Sequence, residues 1–152
     1  MQVTICRDPD GLLSAEAYKV YAPCMYEPTF EKYMARMERY LSDPAVSVYI
    51  CTDNGALIGM LVLDKARDTP EIAGIAVSES SRRKGAGRFM IERVTACEGL
   101  DSLYAQTDGD AVGFYRSCGF SVREELKEYP DGAAVRYHCF LELRARENQS
   151  CQ

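Results

Sequence analysis

One stretch constrains this chain more than any other. Between Glu71 and Cys97 a strand pattern, Glu71 to Val77, runs into a helix pattern through the turn Ser80-Ser81-Arg82-Arg83-Lys84-Gly85-Ala86-Gly87-Arg88. Ala86, Phe89, Met90, Val94 and Cys97 fall on one helical face, and Gly99 stands where a left-handed C-terminal cap is expected. A helix N-terminus presents unpaired N–H groups and roughly half a positive charge, and glycines let an anion approach the backbone closely. The turn therefore has the design of a phosphate site. Four cations, Arg82, Arg83, Lys84 and Arg88, gather there in a chain with 18 Lys and Arg against 23 Asp and Glu, a net charge of −5. Taken alone, the turn fits a solvated, solubility-giving loop equally well. A P-loop is excluded because Lys84 precedes Gly85 with no Ser or Thr in register, and a dinucleotide fingerprint because Met90 stands where its third glycine belongs.

The remaining chain alternates between helical and strand signals. Apolar residues recur at helical spacing around Leu13 to Val20 and again over Phe30, Tyr33, Met34, Met37, Tyr40 and Leu41, a helix opening near Pro28 and stopping before Pro44. Val46 to Thr52, the turn Asp53-Asn54-Gly55 and Ala56 to Leu63 predict a hairpin. Leu103 to Thr107 reads as a short strand. Asp110 can cap a helix through Cys118, and a strand from Gly119 to Val122 is answered by Val135 to Leu143 across Pro130-Asp131-Gly132. At 152 residues, one domain is expected, since single cores serve about 100 to 200 residues.

Composition excludes several classes. The longest apolar stretch, Ala56 to Leu63, falls far short of the roughly 20 residues of a spanning helix, so no membrane association is expected. Arg7 and Asp8 interrupt the N-terminal residues before an apolar leader can form. Net negative charge repels phosphate backbones, which argues against nucleic-acid binding. The seven cysteines, Cys6, Cys24, Cys51, Cys97, Cys118, Cys139 and Cys151, contain no CxxC pair, so reduced thiols in a cytoplasmic protein are expected.

Two segments carry a resemblance. Arg82-Arg83-Lys84-Gly85-Ala86-Gly87 fits the pattern Q/R-x-x-G-x-G/A after a strand. Asp108, Ala111, Tyr115, Gly119 and Phe120 align with N-x-x-A-x-x-x-Y-x-x-x-G-F, departing only in Asp108 for Asn. From about Val46 to the C-terminal strand, the chain thus resembles the GNAT N-acetyltransferase superfamily. The resemblance implies an α/β fold with a central mixed, mostly antiparallel sheet of six to seven strands and about four flanking helices. Its fourth and fifth strands would splay to hold acyl-CoA. Residues 1–152 would form a single N-acetyltransferase domain, with acceptor-side helices in 1–45, a cofactor-binding core in 46–144 and a loose tail in 145–152. Acetyl-CoA is the implied co-substrate. Main-chain amides from Arg83 through Arg88, with Arg82, Lys84, Gly85, Ala86 and Gly87 in the same loop, would cradle its pyrophosphate, and pantetheine would lie along Ile75, Ala76 and Val77. Asp108 and Tyr115 complete the implied set, although a carboxylate at Asp108 also suits helix capping beside Asp110.

Acyl transfer to an amine needs a neutral nitrogen and a stabilised thiolate. From reference pKa values of about 10 and 8.5, proton transfer from a tyrosine to that thiolate is uphill by about 2 kcal/mol. The resemblance makes Tyr115 the leaving-group acid; simple packing between helix and sheet is the alternative. Neutralising an amine of pKa about 10.4 at pH 7 costs roughly 4.6 kcal/mol. Glu71 stands where some histone-acetylating members carry a general base, and is otherwise an exposed strand end after Pro70. His138, the single histidine, is a less favoured base, and with no second ligand nearby no metal site is expected. Tyr18, Tyr21, Met25, Tyr26, Tyr33, Met34 and Met37 would line an acceptor cleft or simply pack. The expected activity is acetyl transfer to the primary amine of a small molecule, by direct transfer in a ternary complex. A protein N-terminus or lysine as acceptor, and a non-catalytic CoA-sensing or partner-binding module, are the alternatives. A homodimer is compatible with either.

Overall fold

Capping and turn residues set the element boundaries. The computed structural model describes residues 1–6 and 8–143. A short strand, β1 (Gln2–Ile5), comes first. Asp8, Ser14 and Thr29 each accept a backbone N–H through the side chain, opening helices α1 (Pro9–Leu12), α2 (Ala15–Tyr21) and α3 (Phe30–Ser42). Asn54 and Gly55, at φ 51° and 81°, turn β2 (Val46–Asp53) into β3 (Ala56–Asp64). β4 (Glu71–Val77) leads through the basic turn into α4 (Ala86–Glu98), which Gly99 ends at φ 61° as its spacing predicted. β5 (Ser102–Thr107), α5 (Val112–Ser117), β6 (Ser121–Tyr129) and β7 (Gly132–Glu142) follow. The five helices exceed the expected four because α1 is a single turn.

The described strands form one seven-stranded sheet in the order β1-β2-β3-β4-β5-β7-β6. Every pairing is antiparallel except β4 with β5. Helices α4 and α5 cover one face, where Met90, Val94, Leu103, Ala105 and Cys139 are buried together. Helices α1 to α3 cover the other, over Met60, Val62 and Ala76. Tyr21, Tyr33 and Met37 are fully enclosed there, so much of the tyrosine and methionine stripe is core rather than cleft wall. No described helix is long and apolar enough to cross a membrane. Cys6, Cys24, Cys51, Cys118 and Cys139 are free. Cys97 is disulfide-bonded, which corrects the expectation of reduced thiols throughout. Cys151 and the tail expected over 145–152 lie outside the described residues.

Two irregularities shape β4. Val62 stands opposite Gly74 and Leu63 opposite Ile72, so Ala73 is an extra, bulged residue. The bulge shifts the two-residue alternation: Ile72 and Ile75 both face α4, whereas Ala76 faces α2. Gly74 then lies under Tyr21, whose hydroxyl would be 2.1 Å from a Cβ at this position. Gly74→Ala must displace a tyrosine that is 1% exposed, and is expected to destabilise the fold by roughly 1–3 kcal/mol or more, read as a fall in denaturant midpoint.

Candidate active site

β4 and β5 are joined at one rung. Glu71 pairs with Tyr104, and the Tyr104 amide donates to the Pro70 carbonyl at 2.9 Å. No further β4–β5 pair follows, so the strands diverge toward Val77 and Thr107 and leave main-chain groups of β4 facing a wedge. The Ile75 carbonyl accepts from the Cys24 thiol at 2.9 Å; a ligand amide seeking that oxygen would share it or displace the thiol.

At the open end of the wedge, β4 delivers the chain into the basic turn. Arg83 and Gly85 adopt left-handed conformations at φ 64° and 80°. Gly85 is the N-cap of α4 and supplies no side-chain capping bond, so the first-turn amides of a 13-residue helix have no cap from within it. A cavity of about 430 Å³ lies against them. Val77, Arg82, Arg83, Gly85, Ala86, Gly87 and Arg88 border it, together with Phe114, Ser117 and Cys118 of the α5 region. Lys84, Ile75, Ala76, Asp108, Tyr115 and Glu71 do not. Among the described residues Arg82, Arg83, Lys84 and Arg88 make no ion pair. Arg82 Nε donates to the Val77 carbonyl at 3.2 Å, and Arg88 donates to the Ser117 carbonyl, so two of these cations brace the loop against β4 and α5. Within the described residues no ion pair neutralises their charge, which is focused on the helix N-terminus.

The two glycines of the turn answer different demands. A Cβ on Gly85 would meet nothing within 4 Å, and its left-handed φ is the reason for glycine. A Cβ on Gly87 would lie 2.8 Å from two ring carbons of Phe114. Gly87 therefore lets α5 dock on α4, whatever it offers a ligand, and sequence alone does not reveal that contact.

Tyr115 is buried, with edge-to-face contacts to Phe114 and Phe120 at ring-centroid distances of 5.2 and 5.3 Å. Burial, and after it the thiols of Cys139, Cys24 and Cys118, push its hydroxyl well above the ordinary tyrosine range. Since Cys24 also binds the Ile75 carbonyl, Tyr115 and the β4 edge of the wedge share one neighbourhood. Such a phenol stays protonated at neutral pH and keeps a proton to donate. A thiolate forming beside it would be destabilised by the same dry surroundings, which keeps the two pKa values from moving far apart. Asp108 Oδ1 accepts from the amides of Asp110 and Ala111 at 3.0 and 3.1 Å, so Asp108 is the carboxylate that caps the approach to α5, in place of the expected Asp110.

Glu71 is half-buried on the sheet face opposite Ile72 and α4. Burial raises its carboxyl, Arg67 lowers it and Asp64 raises it again, with a net upward shift. Across the rung, the Tyr104 hydroxyl lies 2.6 Å from His138 Nδ1, and His138 Nε2 lies 2.7 Å from Glu125 Oε2. Tyr104 and Glu125 carried no motif and were not anticipated from the sequence. Only the register of β5 on β7 and of β7 on β6 brings them to the single histidine. A second cavity, about 620 Å³, is lined by Tyr18, Lys19, Ala22, Pro23, Met25 and Pro28 beside α2. It retains Tyr18 and Met25 of the expected acceptor wall; Tyr26 is exposed. The described residues contain no cluster that could hold a metal ion.

Comparison with known proteins agrees with this geometry. The acetyltransferase (GNAT) family model matches residues 14–120. No curated protein sequence matches the chain. Among solved structures, a ribosomal-protein alanine N-acetyltransferase of Escherichia coli is 20% identical with a TM-score of 0.66, covering 97% of this chain and 99% of its own. A mutant of the spermidine N-acetyltransferase of Vibrio cholerae is 15% identical with a TM-score of 0.71 over 93% and 95%. A GNAT acetyltransferase of Elizabethkingia anophelis with acetyl-CoA bound is 19% identical with a TM-score of 0.64 over 93% and 97%. At such identities the neighbours speak for the fold, while the family model reaches through both the basic turn and Phe120. With its strands splayed above that turn, this chain belongs to the acetyltransferase (GNAT) family.

Proposed function

We propose that the protein transfers the acetyl group of acetyl-CoA directly to the primary amine of a small molecule, in a ternary complex. The observation that carries this reading is the wedge between β4 and β5, opening onto uncapped amides and four cations at α4 that make no ion pair among the described residues. Amides from Arg83 through Arg88 hold the pyrophosphate, and β4 from Ile75 to Val77 offers main chain to pantetheine. Tyr115 donates to the departing sulfur. Glu71 takes a proton from the amine, and its raised pKa suits that work better than an ordinary carboxylate. Residues 1–45 form the acceptor side, residues 46–144 the cofactor core and 145–152 a tail. The likeness to a spermidine N-acetyltransferase and the acidic balance of the chain support a cationic acceptor, and the setting proposed is cytoplasmic, which five free thiols among the described residues favour and the disulfide at Cys97 opposes.

Thiol release from acetyl-CoA against a panel of primary amines and peptides, with mass detection of the product, tests the reading. Acetylation of a small amine is expected. Cofactor binding without turnover on any amine would instead indicate a sensing module.

Glu71→Gln supplies a pH test. The base works only when ionised, and its pKa is raised, so the acidic limb of the wild-type profile should lie above the ordinary carboxylate range. Removing the carboxylate should slow the reaction about 100-fold near neutrality. The deficit should shrink as pH nears the amine value of about 10.4, where the nucleophile is neutral unaided. Superimposable pH profiles would remove Glu71 from the mechanism.

A further inference from the structure

A hydrogen-bonded chain runs away from the Glu71 rung across three strands. Leu103 and Ala105 of β5 and Cys139 of β7 are buried against α4 and α5, so Tyr104 and His138 point to the opposite face, the one that also carries Glu71. Tyr104 stacks on His138 with ring centroids 5.9 Å apart and leans on Phe140 at 5.0 Å. The hydrogen-bond chemistry fixes the direction of the chain. An ionised carboxylate only accepts, so the Glu125 oxygen at 2.7 Å requires a proton on His138 Nε2. In the neutral ring Nδ1 is then an acceptor, and the Tyr104 hydroxyl must donate to it at 2.6 Å. With its proton committed, the Tyr104 oxygen offers only lone pairs to its surroundings, beside the Glu71 carboxylate.

We infer that Tyr104, His138 and Glu125 form a second proton exit for the acceptor amine, resting on the acetyl-transfer reading above. Converting an ammonium into an amide removes two protons from one nitrogen. One is balanced by the proton that the sulfur gains, and the other must reach solvent; a single Glu71 carboxylate can hold only one at a time. In the step assigned here, an N–H of the acceptor passes its proton to the Tyr104 oxygen as the Tyr104 proton moves to His138 Nδ1. An imidazolium results, hydrogen-bonded to Glu125. Its Nε2 proton then leaves through Glu125, whose side chain is 45% exposed, against 13% for His138. No bond to carbon changes, and the tyrosine is neutral before and after. Arg123 stands directly opposite His138 in register, and the Glu125 carboxylate offsets the cost of a second positive charge there. Tyr104 is the group that touches the acceptor, His138 relays and Glu125 positions.

Steady-state acetylation of spermidine, or of whichever panel amine is turned over fastest, tests the chain with four variants. Tyr104→Phe and His138→Gln should each lower kcat about 10- to 100-fold while KM for acetyl-CoA stays within about twofold. The double variant should be little worse than either single one, as expected of groups acting in series. Added imidazole should restore part of the rate of His138→Ala and none of that of Tyr104→Phe, a pattern that lost packing does not produce. Wild-type kcat in both Tyr104→Phe and His138→Gln would overturn the relay and leave the acetyl-transfer reading intact, as would slow variants with additive losses and no imidazole rescue. A wild-type protein inactive toward every amine would overturn both readings.

Discussion

Gly85→Asp is expected to weaken coenzyme A binding by about 100-fold or more, the largest loss of affinity foreseen for a single change. Two like charges 4 Å apart repel by about 4 kcal/mol at an effective dielectric of 20, and screening by solvent trims that figure at a partly open site. Room for the first side-chain atom is not the obstacle, since a Cβ on Gly85 has nothing within 4 Å. Strain is the other component, because φ is 80°. Gly85→Asn separates the two: it brings a comparable left-handed penalty without the charge, so it should keep most of the affinity. Calorimetric titration with coenzyme A reads both variants. Equal affinity for wild type and Gly85→Asp would reject the turn as the diphosphate cradle.

Tyr115→Phe should reduce kcat about 100-fold while affinity for acetyl-CoA and thermal midpoint stay near wild type. The ring contacts with Phe114 and Phe120 survive the change, so stability is preserved for a physical reason. What disappears is a donor that burial keeps protonated. The loss should be smaller with an acetyl thioester whose thiol is more acidic, because its thiolate leaves without help. Turnover equal to wild type would reduce Tyr115 to a packing residue.

Local signals in the sequence were a good guide wherever one turn or one helix face decided the outcome. The hairpin at Asn54-Gly55, the cap at Gly99 and the strand-turn-helix through Arg82 to Arg88 all involve neighbours in the chain, and each formed where its spacing placed it. Features that depend on distant partners were not legible. β1 is too short to carry a pattern. Gly87 reads as a ligand-approach glycine until Phe114, far along the chain, is seen against it. Asp108 and Asp110 are interchangeable caps in the sequence, and only the loop conformation gives the role to Asp108. The row from Tyr104 to His138 and Glu125 exists only because two strand registers coincide.

The extra residue at Ala73 means that β4 cannot change length freely. Ahead of it, Glu71 looks toward the layer that would receive an amine; behind it, the strand has slipped half a pleat, so Ile75 and Val77 rest on the α4 layer. Excising Ala73 would remove the bulge and restore plain alternation, with Glu71 still toward the α2 layer and Ile75 and Val77 still on α4, whereas an added residue after the bulge would swap inside for outside in everything beyond it. Two jobs with opposite orientation are thus carried by seven consecutive residues, and a single-residue insertion between Gly74 and Val77 should be far less tolerable than one in the hairpin between β6 and β7.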